Sequence, residues 1–294
     1  MPLNSPINDS EKKNKKGQLY IVATPIGNRD DITIRALNIL KHVDLIAAED
    51  TRHTGRLLSH HKIKGNLVSY HEHNEKKQTP GLIKKLKEGL SVALVSNAGT
   101  PSVSDPGYCL VKEAIANNIN VVPIPGVSAA ITALSAAGLP TDSFVFIGFL
   151  SKTKNKRFKQ LRELANEQRT MVFYESPKRI LKLLDEIKLI IGDRYGVLSR
   201  EMTKLHEEFI RGSMSEILQN LKARSAIKGE LTLLVKGYIK DKDVPLEIVR
   251  QEIKNNIKLT GNSLSSLAKQ IAIKYGLPKN KVYEEALKIT GKKD

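Results

Sequence analysis

The sequence predicts an α/β protein of two domains, the first with a parallel doubly wound sheet and the second a mixed α/β domain, with a small helical appendage at the C-terminal end. Three observations carry this expectation. From Gly17 to Ile124, apolar runs of strand length alternate with helical segments over short links, as a parallel sheet with crossover helices requires. A second set of apolar runs spans Phe144 to Lys236, and the texture changes after Tyr238. The 294 residues also exceed what one hydrophobic core usually serves. The expected divisions are a polar, basic, disordered tail over 1–16, α/β domains over 17–124 and 125–239, and the appendage over 240–294.

In the first domain, strands are expected at Leu19–Ala23, Asp44–Ala48, Asn66–Tyr70, Ser91–Ser96 and Asn120–Ile124. Helices are expected over Thr33–Lys41, Gly81–Glu88 and Tyr108–Ile115, where apolar residues take helical spacing. The alanine-rich segment after Ser128 reads as a buried helix that stops at Gly138-Leu139-Pro140. Residues Val121 to Pro140 have the length of a membrane span, but Pro123, Pro125, Gly126 and Gly138 interrupt them, so no span is expected. Strands of the second domain are expected at Phe144–Phe149, Thr170–Tyr174, Gly196–Arg200, Glu208–Ile210 and Leu231–Lys236, with a dense basic loop over Ser151–Lys159. Beyond the polar hinge Asp241-Lys242-Asp243, helices are expected around Leu264–Tyr275 and Pro278–Ile289. Gly276 as a stop and Pro278 in a first turn fit two helices meeting at an angle. They form either a helix-turn-helix or a pair packed on the second domain.

The formal charge is +17. Such a balance fits a polyanionic partner such as nucleic acid, and equally a lysine-rich composition without one. The start of the chain carries no apolar secretory core, and the single Cys109 excludes a disulfide framework and an all-cysteine zinc site. A cytoplasmic protein is expected, with Cys109 in the core.

The segment Ser96-Asn97-Ala98-Gly99-Thr100-Pro101-Ser102-Val103-Ser104-Asp105-Pro106-Gly107 follows the apolar run Val92–Val95. A loop of small residues at the carboxyl end of a strand lets a ligand approach the backbone. Pro125-Gly126-Val127-Ser128-Ala129-Ala130 repeats the arrangement after Val121–Ile124. The two loops together make a cofactor pocket; singly, each is also an ordinary turn between strand and helix. Neither a dinucleotide fingerprint nor a phosphate-binding P-loop is present. Charge gathers at Glu49-Asp50-Thr51-Arg52, at Glu175 to Arg179 and at Arg200 to Lys204. His60-His61 and His71-Glu72-His73 lack helical ligand spacing or a third partner, so no metal is expected.

The ordered set TPIGN at 24–28, AAEDTR at 47–52, SYHEHNE at 69–75, the loop at 96–107, PIPGVSAAITALSAAGLP at 123–140, FYESPKR at 173–179 and REMTK at 200–204 followed by FIRG at 209–212 resembles a known family. It is similar to the small-subunit ribosomal RNA cytidine-2′-O-methyltransferase branch of the tetrapyrrole methylase superfamily, over nearly everything from Gly17 to Gly237. The resemblance implies two α/β domains with S-adenosyl-L-methionine folded in the cleft between them. It places Ala98, Gly99, Thr100, Val103, Ser128 and Ala129 against the cofactor, with Tyr174, Glu175 and Gly212 closing the site. Two departures stand out: Asn97 where the branch commonly has Asp, and Arg29-Asp30 where Leu-Gly is common.

The implied acceptor is the ribose 2′-hydroxyl of a decoding-centre cytidine in 16S ribosomal RNA, within the small ribosomal subunit. A hydroxyl is a poor nucleophile while protonated, so a base is needed. Glu49, Asp50, Glu175, Lys178 and Glu201 are the candidates, each equally able to serve as a surface or interdomain ion pair. Arg52 and Arg200 are expected on RNA phosphates, with His71, His73 and Asn74 at the cleft and Lys152, Lys154, Lys156 and Arg157 on the basic loop. The resemblance also implies a homodimer. Two other functions fit the fold: methylation of a tetrapyrrole or other small molecule, and RNA binding without catalysis.

Overall fold

In a computed structural model, residues 17–239, 246–259, 263–275 and 277–290 are described. The basic tail over 1–16, the hinge at Asp241–Asp243 and the Gly276 stop lie outside them. The chain divides into two compact units, Met1–Lys236 and Gly237–Asp294.

The first unit carries both sheets. Its first lobe contains β1 Gln18–Val22, α1 Ile34–His42, β2 Leu45–Ala48, α2 Thr51–His60, β3 Leu67–Ser69, α3 Glu75–Lys87, β4 Val92–Val95, α4 Tyr108–Ala116 and β5 Asn120–Ile124. The strands run in the order β3-β2-β4-β1-β5, all pairs parallel. Each strand lies within a residue of its expected bounds. Both faces of the sheet are covered, which is why Val92–Val95 is apolar throughout. Leu82, Leu86, Leu110 and Ala114 from α3 and α4 bury Leu19 and Leu94 on one face. On the other, Ala36, Leu40 and Leu58 from α1 and α2 bury Val22, Ile46 and Val95. Side-chain caps set the helix starts: Thr33 accepts from the Ala36 amide, and Asp50 from the amides of Arg52 and His53. The third helix begins at Glu75, six residues before the expected start, and runs through Pro80. That proline signals a helix start in sequence, yet Leu82, Ile83 and Leu86 dock the helix firmly enough to tolerate the missing N–H.

The second lobe contains α5 Ala129–Ala137, β6 Phe144–Phe149, α6 Lys154–Glu163, β7 Thr170–Glu175, α7 Ile180–Ile190, β8 Tyr195–Arg200, β9 Glu208–Ser213, α8 Met214–Lys222 and β10 Leu231–Val235. Its sheet order is β6-β7-β10-β8-β9. The β6–β7 pair is parallel and the other three are antiparallel, so the sheet is mixed. The ninth strand runs three residues past its expected end, to a Ser213–Glu216 capping box that starts α8. Leu161, Leu184, Ile187 and Ile217 from α6, α7 and α8 cover one face of the sheet. Ala130, Ala133 and Leu134 of α5 cover Val172, Val197 and Leu234 on the other.

The expected basic loop is a correction: Lys154–Glu163 is helical. Its inward stripe is Arg157 and Leu161, both buried, while Lys152, Lys154 and Lys156 are exposed.

The second unit holds three helices, α9 Leu246–Leu259, α10 Leu264–Tyr275 and α11 Lys279–Thr290. The first was not expected from sequence. Val249 and Ile253, one turn apart, join Leu267, Ile271, Val282 and Ala286 in a core of the unit's own. Among the described residues, no helix is long and apolar enough to cross a membrane.

Candidate functional site

Ligands of parallel α/β sheets bind beyond the carboxyl ends of the strands, and there the first lobe places the loops after β1, β4 and β5. The loop after β1 carries Thr24, whose amide donates to the Gly99 carbonyl at 2.8 Å and whose carbonyl accepts from the Gly99 amide at 2.9 Å. The loop after β4 is tied down by the Thr24 hydroxyl on the Ser96 carbonyl (3.1 Å) and the Thr100 hydroxyl on the Val127 carbonyl (3.2 Å). Gly99 has φ +75°, a conformation a side chain would strain. Ser102 and Ser104 share it, at +70° and +65°, and such outliers concentrate at functional sites.

The second lobe answers with the ends of β7, β8 and β10. Tyr174 accepts from the Ala130 amide at 3.1 Å, fixing the start of α5, and packs edge-on against Phe146 and Phe149. Burial, foremost, raises the pKa of its phenol. Glu175 is buried and its Oε1 lies 2.6 Å from Arg179. The turn between β8 and β9 holds Glu201 and Thr203 at left-handed φ, 51° and 65°. Here the Lys204 ammonium bridges Glu201 (2.9 Å) and Glu230 (3.0 Å). Burial pulls the Lys204 pKa down, but those two bonds outweigh it and the group stands above its ordinary value. The Lys204 bond in turn lowers Glu201.

Two adjoining cavities result. The first, of about 330 Å³, is walled mostly by small and apolar groups, including Ala98, Thr100, Val103, Ser128, Ala129, Tyr174 and Glu175. Its volume falls in the range of small-molecule sites, roughly 300–1,000 Å³. The second, of about 370 Å³, is walled by Arg29, Asp50, His53, Arg56, Asn97 and Lys204 among others. Ile26, Ala98 and Glu230 belong to both. Gly27 brings the lobes together here: a Cβ on it would lie 2.7 Å from the Thr203 hydroxyl, which accepts from the Asn28 amide at 2.9 Å.

Most residues expected at the cofactor thus face the first cavity. Gly99 sits beside it, its backbone spent on Thr24. Gly212 is a correction: it lies on the edge strand β9, paired with Gly196 and next to Glu216, and lines neither cavity. Of the candidate bases, Glu175 faces the first cavity and Asp50 the second. Asp50 is lowered by the Arg52 amide, then by the Arg52 side chain and the His53 amide. Glu49 stands behind the loop, accepting from the Asn97 amide at 3.0 Å. Glu201 and the exposed Lys178 line neither cavity.

Among the residues expected on RNA, Arg157 is a second correction. It is 5% exposed, with Nε and Nη2 donating to Glu186 at 2.5 and 2.8 Å and Nη1 donating to the Ser151 and Lys152 carbonyls at 2.9 and 3.0 Å. No phosphate can reach it. Arg200 is held by Glu208 at 3.1 Å. Arg52 is exposed, with a 3.4 Å contact to Asp50. His71 and His73 stack edge-on, with ring centroids 5.9 Å apart. Asn74 serves the backbone, accepting from the His71 amide and donating to the Ser69 carbonyl.

The sequence does not nominate Asp105, Met202, Glu230 and Thr232 of the first cavity or His53 and Arg56 of the second as site residues, and it marks Arg29 only as a departure from the family pattern and Lys204 only as part of a charged run. Asp105 lay inside the quoted loop, but Ser-Asp-Pro-Gly also spells a turn. Burial, then the charge of Glu49, push the Asp105 carboxyl up to about 7, against the hydrogen bond from Ser96.

Residues 18–218 match the tetrapyrrole (corrin/porphyrin) methylase family. The chain is 46% identical to ribosomal RNA small subunit methyltransferase I of Halalkalibacterium halodurans, over 93% of this chain and 96% of that one. It is also 46% identical to the protein of that name in Escherichia coli O157:H7, over 95% and 97%. A solved uroporphyrin-III C-methyltransferase from Thermus thermophilus, complexed with S-adenyl homocysteine, shares the fold at a TM-score of 0.53 and 18% identity, over 74% of this chain and 97% of that one. The chain therefore belongs to the tetrapyrrole methylase family, in its ribosomal RNA small subunit methyltransferase I branch.

Proposed function

We propose that this protein is an S-adenosylmethionine-dependent methyltransferase of small-subunit ribosomal RNA, and that its acceptor is the ribose 2′-hydroxyl of a decoding-centre cytidine in 16S RNA. One observation carries the reading: a cavity of small and apolar residues meets a charged cavity at Ile26, Ala98 and Glu230. A methyl donor and an anionic nucleotide need that pair of surfaces side by side. The relatives' shared name supports the RNA substrate, and the motif set from TPIGN to FIRG supports the cytidine hydroxyl.

The first cavity fits the donor. Ala98, Ser128 and Ala129 leave room for a ligand against main chain, while Ile26, Phe149 and Met202 offer apolar surface. S-adenosylmethionine, when bound, supplies an electrophilic methyl group on sulfur. The two lobes then align donor and acceptor, the source of much of the acceleration in such a displacement. In the second cavity, Arg29 and Arg56 hold phosphate, while Lys204 holds Glu201 and Glu230 in place. Glu230, at the junction, is the carboxylate placed to take the hydroxyl proton. The exposed Lys152, Lys154 and Lys156 add a salt-sensitive grip on RNA.

The test is incubation of the full chain with labelled donor and small-subunit particles from cells lacking it, followed by digestion to nucleosides. Label in 2′-O-methylcytidine is the expected result. Label on a base, or only in an added tetrapyrrole precursor, overturns the acceptor assignment.

A further inference from the structure

Asp105 stands on the wall of the first cavity, and among the described residues no cationic side chain contributes to its shift. The groups that face it are the Ser96 hydroxyl and the Glu49 carboxylate of the first lobe, and the Tyr174 phenol of the second. Glu49 is held by a backbone amide rather than a positive side chain. The other two carboxylates of the cavity wall are already matched, Glu175 by Arg179 at 2.6 Å and Glu230 by Lys204 at 3.0 Å.

A carboxylate withdrawn from water without a counter-ion is costly, and proteins commonly relieve that cost by keeping it protonated. The carboxyl near 7 is this relief in operation. The wall is therefore one positive charge short. Bringing a cation into an apolar cavity is costly for the same reason, and the attraction between cation and carboxylate offsets part of both costs when they meet.

Resting on the donor reading above, we infer that Asp105 is the counter-charge of the donor's sulfonium, and that it makes the cavity prefer the charged donor to the neutral thioether left after transfer. The charges balance. Ionised Asp105 faces the sulfonium when the donor is bound, having released its proton. The methyl group moves to the hydroxyl oxygen as the carbon–sulfur bond breaks, leaving that bonding pair on sulfur, and the hydroxyl proton goes to the base. Asp105 now faces a neutral sulfur, recovers a proton from solvent, and no longer favours retention. Product release and donor loading are thereby driven by one carboxyl group.

Titration calorimetry decides it, with S-adenosylmethionine and S-adenosylhomocysteine as the probes, across neutral pH and in two buffers of different ionisation heat. Wild type, Asp105→Asn and Asp105→Glu are compared. The expected loss of donor-over-product preference in Asp105→Asn is about tenfold, the equivalent of one pKa unit of coupling, with product affinity unchanged. Donor binding should release a proton from wild type but not from Asp105→Asn, product binding from neither, and Asp105→Glu should recover part of the preference. An unchanged preference in Asp105→Asn overturns the inference, as does donor binding to wild type with no proton released beyond that of Asp105→Asn. Should Asp105→Asn bind neither ligand, wild type alone decides: a donor preference that rises with pH, alongside proton release, upholds the inference, and its absence defeats it. Wild type that binds neither probe overturns the donor reading itself.

Discussion

The two lobes contribute to the site by opposite means. The first presents main chain and small side chains on loops at the ends of parallel strands, with backbone pairs such as Thr24–Gly99 holding their shape. The second presents charged side chains at the ends of a mixed sheet, each fixed by a partner: Glu175 by Arg179, and Glu230 by Lys204 together with Glu201. A site half made of backbone is sensitive to added volume. A site half made of ion pairs is sensitive to removed charge, because the abandoned partner stays behind.

The largest effect should come from removing charge in the second lobe. Arg157→Ala leaves Glu186, 7% exposed at its side chain, buried and unpaired. The expected loss is about 3–5 kcal/mol, read as an earlier midpoint in urea denaturation. Lys156→Ala on the same helix, at an exposed residue, should leave the midpoint unmoved. Equal losses from the two would erase the distinction between buried and displayed charge on this helix.

Added volume in the first lobe should act more locally. Gly99→Val forces a branched side chain into φ +75°, at about 1–2 kcal/mol. The nearest atom to its Cβ would be Ile26 Cγ2 at 3.7 Å, so the loop shifts while the core stays. Donor affinity should fall at least about tenfold with a smaller change in the denaturation midpoint than Arg157→Ala gives. Donor affinity near that of wild type would mean that the loop's backbone is not part of the pocket wall.

The smallest effect sharpens the comparison at Asp105, the first lobe's exception. Its pKa is raised in the folded chain from 3.8 to about 7, so the folded state holds the proton more tightly than the unfolded one. The associated stability is complete below the unfolded value and is lost as pH rises through the folded one. Asp105→Asn should therefore melt above wild type on the alkaline side of 7, by about 1–2 °C once solvent screening is allowed. The two curves should converge near pH 4 or below. A variant less stable than wild type at alkaline pH would show that the carboxylate has a cation nearby.

The same contrast explains what could be read from the sequence. The first lobe was legible because its information is local. Alternating runs give its strands within a residue, and Ala98, Thr100, Ser128 and Ala129 sit in contiguous loops of small residues. The second lobe's contribution depends on register. Glu230 reaches Lys204 because Leu231 pairs with Arg200 on β8 and with Glu175 on β7, residues that lie far apart along the chain. Gly212 fails for the mirror-image reason, since its register on β9 carries it to the sheet edge. Arg157 misleads because a charge in a lysine-rich run is ordinarily solvated, and nothing nearby in sequence announces Glu186. The start of α3 was hidden by Pro80, and α9 by its mostly polar surface.

Among the described residues, Ile26, Ala98 and Glu230 alone are common to the two chambers. On the proposed function, a substitution at Arg29, His53 or Arg56 should therefore change acceptor binding and leave donor affinity as it is. On that reading, acceptor choice can drift while donor binding is kept, and exchanging those side chains is the natural starting point for redirecting the enzyme to a different acceptor.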